Sequence, residues 1–525
     1  MSTKDTETVP LYAVKDLKKG KKAVTGFEAA VAERKELCEM FPHCPTALIF
    51  HESGFGPFPK EIYGETTEVD DAVRAADSNK VATAMASAKA WRAANPDIKL
   101  IHGNSSSSIG LIARLMRGGY PKDLVDAWGE ESVGMSEPPE MSTAFLPWEI
   151  KKLARHYGYT DAMDCPREWK SRYYPWRYET DKTPAAAMLL KDALIAHALG
   201  YTVIPVGAST ETANSYADSI WCSGTFARWP LAYPRKEALA FATLTQLLDG
   251  AKFVRQVPTG SLTVYALEFA TDGGLVYTLW SARGEVAVTG GDGTLVGLTG
   301  RELARVAAKD ALTVGEEPCY ILASGKTESF AAAKTRSYPR ERFPAMAKAV
   351  VAASAEDIAK VELRCVKEPR IEKGYDSEPV RVGRFAMTAV NDAEKGACVE
   401  LRHLSKPSCP EIMTEYATLV FKDAKPVEGT FSTLGVWVKG NSNWGKVFLE
   451  FEDAEGETWF SAGMGGVGCQ SYDWCGKMCL NYDGWNFLQL PLTDLSPVKI
   501  PSPGDDEWQW TRDGSGNGQI DFPVK

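Results

Sequence analysis

Thr46-Ala47-Leu48-Ile49-Phe50-His51-Glu52-Ser53-Gly54-Phe55-Gly56 is the stretch from which the fold of the first half is read. An apolar run of strand length stops at a His-Glu pair and then breaks into glycines. A strand apolar on both faces belongs in a buried parallel sheet, and parallel α/β proteins keep their chemistry at the carboxyl ends of such strands. Glu52 is therefore the first candidate catalytic residue; the competing reading makes it the solvated residue that follows a core strand.

The arrangement repeats along the chain. Upstream, 27–40 predicts a helix closed by Pro42 and Pro45. Downstream, the alanine-rich stretch 69–93 predicts a helix ended by Asn95-Pro96-Asp97, and 98–104 the next strand, finishing in His102-Gly103-Asn104. The four serines 105–108 precede a helix over 109–116 and suit an N-cap or turn, with an anion site as the alternative. A third strand over 124–129 opens into Glu130 and Glu131, a helix over 147–156 follows, and a short strand over 160–164 ends near Glu168-Trp169. The helix over 184–199, capped by Gly200, leads to a fifth strand over 201–207. Strand-helix units in this succession predict parallel α/β architecture with right-handed crossovers.

Composition narrows the function classes. At 525 residues the chain exceeds one ordinary core, so several domains are expected. A net charge of -10 with no basic tract argues against a nucleic-acid partner. No stretch approaches the ~18 apolar residues of a membrane helix, so no membrane association is expected. No strand opens into spaced glycines or a phosphate-loop lysine, which disfavours a nucleotide cofactor; none is expected for catalysis. Residues 1–9 are polar and lack a secretory pattern, so export is expected only if a leader precedes them. Among the 11 cysteines, Cys469, Cys475 and Cys479 read as a disulfide plus a further thiol, ahead of a zinc site.

The strand ends share carboxylates and indoles: Glu52, Asp126, Trp128, Glu130, Glu131, Asp164, Glu168, Trp169 and, further on, Trp221. Sugar hydrolysis needs one acid to protonate the leaving oxygen and a second carboxylate to attack or to activate water. Indoles stack on the apolar faces of pyranose rings. With the run from Ser223 to Ala238 and the apolar stretch 244–250, these features resemble the (β/α)8 barrel of the large retaining glycoside hydrolase clan, closest to its xylosidase-, iduronidase- and arabinofuranosidase-like members. The resemblance covers about residues 27–250. It implies that Glu52 is the acid/base at the end of the fourth barrel strand. The strand near Asp164 is then the seventh, with Glu168 as nucleophile and Asp164 competing for that role. His51 stands where the clan usually places an asparagine that holds the substrate 2-hydroxyl. With it, Asn104, Trp128, Glu130, Glu131, Trp169 and Trp221 are the candidate glycan contacts.

Only about 45 residues precede the supposed fourth strand, whereas three strand-helix units need on the order of 100 at roughly 30 each. The barrel reading thus implies a partial barrel whose open edge is covered by self-association or by a partner chain, a first half supplied by another polypeptide, or a strand numbering other than four to seven. An open doubly wound sheet is the other α/β architecture that fits.

After Gly250 the period changes to two. Short alternating strands with Asp272-Gly273-Gly274 as a hairpin turn predict a small β-sandwich over 251–330, in which Tyr265, Tyr277 and Trp280 are structural. Residues 331–360 read as a linking segment with helix-like alanines, and 361–525 as an all-β jelly roll. The stretch from Gly435 to Trp444, with 448–453 and Gly484-Trp485-Asn486, is similar to galactose-binding-like carbohydrate modules, which often carry a structural calcium. Seven of the 15 tryptophans lie between Trp437 and Trp510. Trp444, Trp474 and Trp508 are expected as exposed stacking platforms, and Trp437, Trp459 and Trp485 as buried in strands.

Overall fold

The computed structural model describes residues 2–3, seven positions between 28 and 40, and 47–52, 71–104, 110–131, 139–159, 167–168, 183–200, 226–227, 233–338, 354–366, 380–404, 414–460, 479–492, 511–512 and 517–525, less 359, 423 and 518; some of these by backbone alone. The fifth strand expected over 201–207 lies outside them. The positions described between 28 and 40 are helical.

The first half holds five parallel strands: β1 (Ser2–Thr3), β2 (Ala47–Glu52), β3 (Lys99–Asn104), β4 (Ala127–Glu131) and β5 (Arg167–Glu168). Helices α1 (Asp71–Ala94), α2 (Gly110–Arg117) and α3 (Pro139–Tyr157) alternate with them. The spatial order is β1-β2-β3-β4-β5. Each strand joins on the same side as the one before, so right-handed crossovers deliver the helices to one face. A doubly wound sheet would reverse direction at a switch point, and none occurs among these strands. As described, the sheet is open, with the two-residue strands β1 and β5 as its edges.

The helix-covered face explains the local sequence. Val81, Ala84, Ala88 and Trp91 recur at helical spacing and pack against Leu100, Ile112, Leu115, Trp128 and Leu153. The buried Asp77 carboxylate accepts hydrogen bonds from Arg114 Nε at 3.0 Å and Arg117 Nε at 3.1 Å, pinning α1 to α2. A side chain at Gly118 would meet Val81 Cγ2 at 2.5 Å, so glycine sets how closely these helices approach.

Helices α4 (Thr183–Ala198) and α5 (Lys236–Leu248) flank the short hairpin β6 (Phe226–Ala227) and β7 (Tyr233–Pro234). They pack on a second sheet made of β8 (Lys252–Gln256), β9 (Val264–Thr271), β10 (Gly274–Ser281), β12 (Gly293–Val296), β13 (Glu302–Val306) and β15 (Cys319–Ala323). Its order is β13-β12-β15-β10-β9-β8. The β9–β10 hairpin turns at Asp272-Gly273, with Thr271 opposite Gly274. Tyr265, Leu267, Phe269 and Trp280 meet α4 and α5, whereas Val264, Ala266, Tyr277 and Leu279 meet a three-stranded sheet of β11 (Glu285–Thr289), β14 (Leu312–Val314) and β16 (Ala331–Ser337). Strand β16 departs from the sequence reading, which put its alanines in a linking segment. Pairing with β11 decides the matter, because strand formation follows the available partner more than intrinsic preference.

Among the described residues the last part is all β apart from α6 (Ala355–Ile358). Its paired strands are β17 (Val361–Arg364) with β22 (Thr418–Phe421), β18 (Val380–Val382) with β21 (Thr414–Tyr416), β19 (Phe385–Asp392) with β20 (Gly396–His403), and β23 (Thr433–Asn441) with β26 (Asp483–Pro491). A three-stranded sheet of β24 (Glu450–Glu452), β25 (Thr458–Phe460) and β27 (Thr511–Arg512) completes it. Among the described residues no helix is long and apolar enough to cross a membrane.

A buried polar seam joins this part to the preceding sheets. The Arg336 guanidinium, 1% exposed, donates to Ser261 Oγ, Thr263 Oγ1, Ser281 Oγ, the Arg283 carbonyl and Asp483 Oδ2. Ser442 Oγ lies 2.7 Å from Thr263 Oγ1 and donates to Asp483 Oδ1. Truncating one partner of such a cluster strands the others without water. Arg336→Met is expected to destabilise the chain by about 3–5 kcal/mol, and Arg336→Lys to recover little because an ammonium cannot span these acceptors. Urea unfolding of the two variants checks this; a loss under ~1 kcal/mol would place the seam among interactions of surface strength.

Candidate functional site

The carboxyl ends of β2 to β5 carry the sequence-predicted residues, and pairing fixes their levels. Glu52 is in register with Asn104, and Asn104 with Glu130. One position earlier stand His51, Gly103 and Gly129, so two adjacent places in that row carry no side chain. Glu131 is paired directly with Glu168. Glu52 and Glu168 lie on β2 and β5, three strands apart, or about 14 Å between backbones in a flat sheet at ~4.8 Å per strand.

The backbone therefore gathers Glu52, Asn104, Glu130, Glu131 and Glu168 at one end of a one-way parallel sheet. The side chains of these five and of His51 lie outside the description, as do Asp164, Trp169, Trp221, Trp474 and Trp508 entirely. The adjacency of Glu131 and Glu168 is the relation that sequence reasoning missed. Strand register produces it, and no local signal in either segment encodes register.

Two strand-end residues have other settings. Asp126 precedes β4 and so stands at the opposite end of the sheet. Its Oδ2 accepts from Arg92 at 2.6 Å and from the Leu100 amide at 2.7 Å, tying the end of α1 to β3. Trp128, read from the sequence as a glycan contact, is instead a core side chain with no exposed surface. It lies on the helix-covered face, 5.8 Å from the His102 ring and 5.3 Å edge-on from Tyr159.

In the last part, Trp444 is half-buried at a left-handed φ of 59°, its carbonyl facing Cys479 Sγ. Trp459 is buried as expected, but Trp437 is 45% exposed. The strand had signalled this: Leu434, Val436 and Val438 face the core, which leaves Trp437 in the alternate set with Thr433 and Lys439. Cys479 is buried, and burial pushes the pKa of its thiol up to about 11; Cys469 and Cys475 lie outside the described residues. No cluster of metal-ligating side chains occurs among the described residues.

No protein-family model matches the chain, and no curated protein matches it. Among solved structures the similarity is weak and partial. A GH30 endoxylanase from Clostridium papyrosolvens is 10% identical at a TM-score of 0.29, covering 63% of this chain and 95% of its own. An alpha-L-arabinofuranosidase from Thermotoga maritima is 13% identical at 0.31, covering 51% of this chain; the chain spans 65% of that protein, just under two thirds. A thermostable GH51 alpha-L-arabinofuranosidase from Thermotoga petrophila is 12% identical at 0.33, covering 57% of this chain and 70% of its own. At these values no fold or activity is carried across.

Beneath the strand ends, His102 sits in β3 with no exposed surface, its Nε2 3.2 Å from the Leu124 carbonyl and its ring 4.5 Å from Tyr120. Burial lowers its pKa from 6.5 to about 4. Between those values the unfolded chain binds a proton that the folded chain refuses. Its contribution is therefore intact above about pH 6.5 and is lost as pH falls toward about 4, by roughly 3 kcal/mol in all. Urea unfolding across this range is expected to show that decline in the parent and a flatter profile in His102→Asn. Identical pH profiles would mean that another group sets the acid sensitivity.

Proposed function

We propose that the chain is a glycoside hydrolase that cleaves a polysaccharide or oligosaccharide with two carboxylates, Glu52 as acid/base and Glu168 as nucleophile, with Asp164 the alternative nucleophile. The carrying observation is the one-way parallel sheet whose carboxyl ends bring together acidic residues from β2, β4 and β5. In this reading the Glu52 carboxylic acid protonates the glycosidic oxygen while Glu168 attacks the anomeric carbon. Water then releases the sugar with Glu52 acting as base. Retention calls for carboxyl groups about 5 Å apart. A sheet wound in one direction can curl to bring β2 and β5 closer than a flat sheet allows. His51, Asn104 and Glu130 supply polar contacts to the sugar, and a calcium bound by oxygen ligands in 361–525 would be structural.

Strands β1 and β5, which end the sheet among the described residues, favour a second reading: a carbohydrate-binding or structural chain derived from such a hydrolase, inactive alone or active only when a partner or a second copy covers the edge.

Turnover of aryl glycosides with good and poor leaving groups separates these readings. Glu52→Gln is expected to slow substrates with poor leaving groups by about 10²–10⁴-fold while sparing activated ones, because only the former need the acid. Glu168→Gln is expected to abolish both. If parent turnover survives unchanged in both variants, the assignment is wrong. An inactive monomer in light scattering that gains turnover on association selects the second reading.

A further inference from the structure

Among the described residues, the strand pair β23–β26 packs one face into a core. Leu434, Val436, Val438 and Leu488 turn into the last core. Alternation therefore sends Thr433, Gly435, Trp437 and Lys439, with the partners Phe487 and Trp485, to the other face. The outer face of an antiparallel sheet is ordinarily polar, yet three aromatic rings occupy this one. Trp437 and Phe487 stand directly opposite each other, ring centroids 5.4 Å apart and planes inclined at 47°. Phe487 lies across Gly435, where an added Cβ would meet its Cζ at 2.5 Å, so glycine lets the ring lie close to the sheet. Trp485 donates from Nε1 to Asp392 Oδ1 at 3.0 Å, which fixes its indole against the β19–β20 hairpin.

Charged groups surround the rings in balanced pairs. Lys439 Nζ lies 2.8 Å from Asp392 Oδ2, and Lys395 Nζ lies 3.6 Å from Glu394 Oε1 and 3.5 Å above the Trp437 ring. Among the described residues, these two ammonium groups and two carboxylates balance.

We propose that this face of β23–β26 is a binding platform for an uncharged polysaccharide, separate from the strand-end site. The rings complement the apolar faces of pyranose units, and the rim offers both donors and acceptors to sugar hydroxyls. A polyanion finds no excess positive charge here. Lys395, 27% exposed, covers Trp437 through a flexible stem whose one carboxylate partner, Glu394, is itself exposed, so it can turn aside for a ligand. The inference rests on the carbohydrate reading only for the class of polymer. Its test reads binding rather than turnover, so the two fail separately.

The experiment is affinity electrophoresis of the full chain through gels containing mixed-linkage β-glucan, neutral arabinoxylan, galactomannan or soluble starch, with heparin as the polyanion arm, at low and high salt. At least one neutral polymer is expected to retard the chain independently of salt. Trp437→Ala and Phe487→Ala are each expected to weaken that retention by about tenfold, roughly the effect of one lost aromatic contact. Trp437→Phe should retain most of it, and Leu262→Ala, at a residue 73% exposed elsewhere, should match the parent. Circular dichroism melts establish that the variants fold, and Trp437→Gln replaces the alanine variant if that one does not. The proposal is overturned if no neutral polymer retards the chain, if retention survives both aromatic variants, or if only heparin binds and salt abolishes it.

Discussion

The sheet containing β9 and β10 must be apolar on both faces, and the rest of the molecule is arranged around that requirement. Odd positions of β9, Tyr265, Leu267 and Phe269, need a cover of helices; even positions, Val264 and Ala266, need a second sheet. The period-two geometry of a strand makes these demands independent, so one hairpin recruits partners from both sides of it in sequence. Tyr265 stacks on Trp280 with centroids 4.9 Å apart and planes 1° from parallel, forming a flat floor on which α4 and α5 rest.

Polar contacts set how that floor is seated. Glu140, near the start of α3, accepts from Trp280 Nε1 at 2.7 Å and lies 3.1 Å from Lys191 Nζ of α4. Both charged side chains are buried, at 0% and 5% exposure. A pair removed from water to this degree adds little net stability but penalises any docking that separates its members. Helix α3 follows the strand that ends in Glu131, so the same contact connects the candidate site's surroundings to the second sheet. The Arg336 cluster plays the corresponding part between that sheet and the last module, with Arg283 adding a contact 5.3 Å over the Tyr482 ring. Each seam combines hydrogen-bonded charges with aromatic rings.

Much of the architecture was legible because it is written in local periodicity. The helix Asp71–Ala94 shows an alanine-rich 3.6 pattern closed by proline, and the β9–β10 hairpin shows Asp-Gly-Gly between alternating strands. Properties set by distant partners were not legible. Ala331–Ala333 read as helical until β11 supplied a ladder. Trp128 looked like a site residue because it stands close to a strand end, while its position in the alternation put it against the helices. Glu52 and Glu168 were legible as strand-end acids, but the pairing of Glu131 with Glu168 belongs to register between strands that are distant in sequence. Trp437 shows the reverse case, since its alternation with Leu434, Val436 and Val438 was available in the sequence and was outweighed by the expectation that a strand tryptophan is core.

The packing of α4 and α5 bears on how the polypeptide can be divided. By sequence, the change of period at Gly250 suggests a cut between an α/β fragment and a β fragment. Yet Ala186, Leu190, Leu194, Ala240 and Leu248 share one core with Phe269, Trp280 and Tyr320. A fragment beginning at Ala251 would carry a naked apolar sheet face, and its complement would carry two helices with nothing to cover. Recombinant dissection of this protein should therefore keep residues 183–338 together, treating both helices as part of the module they roof.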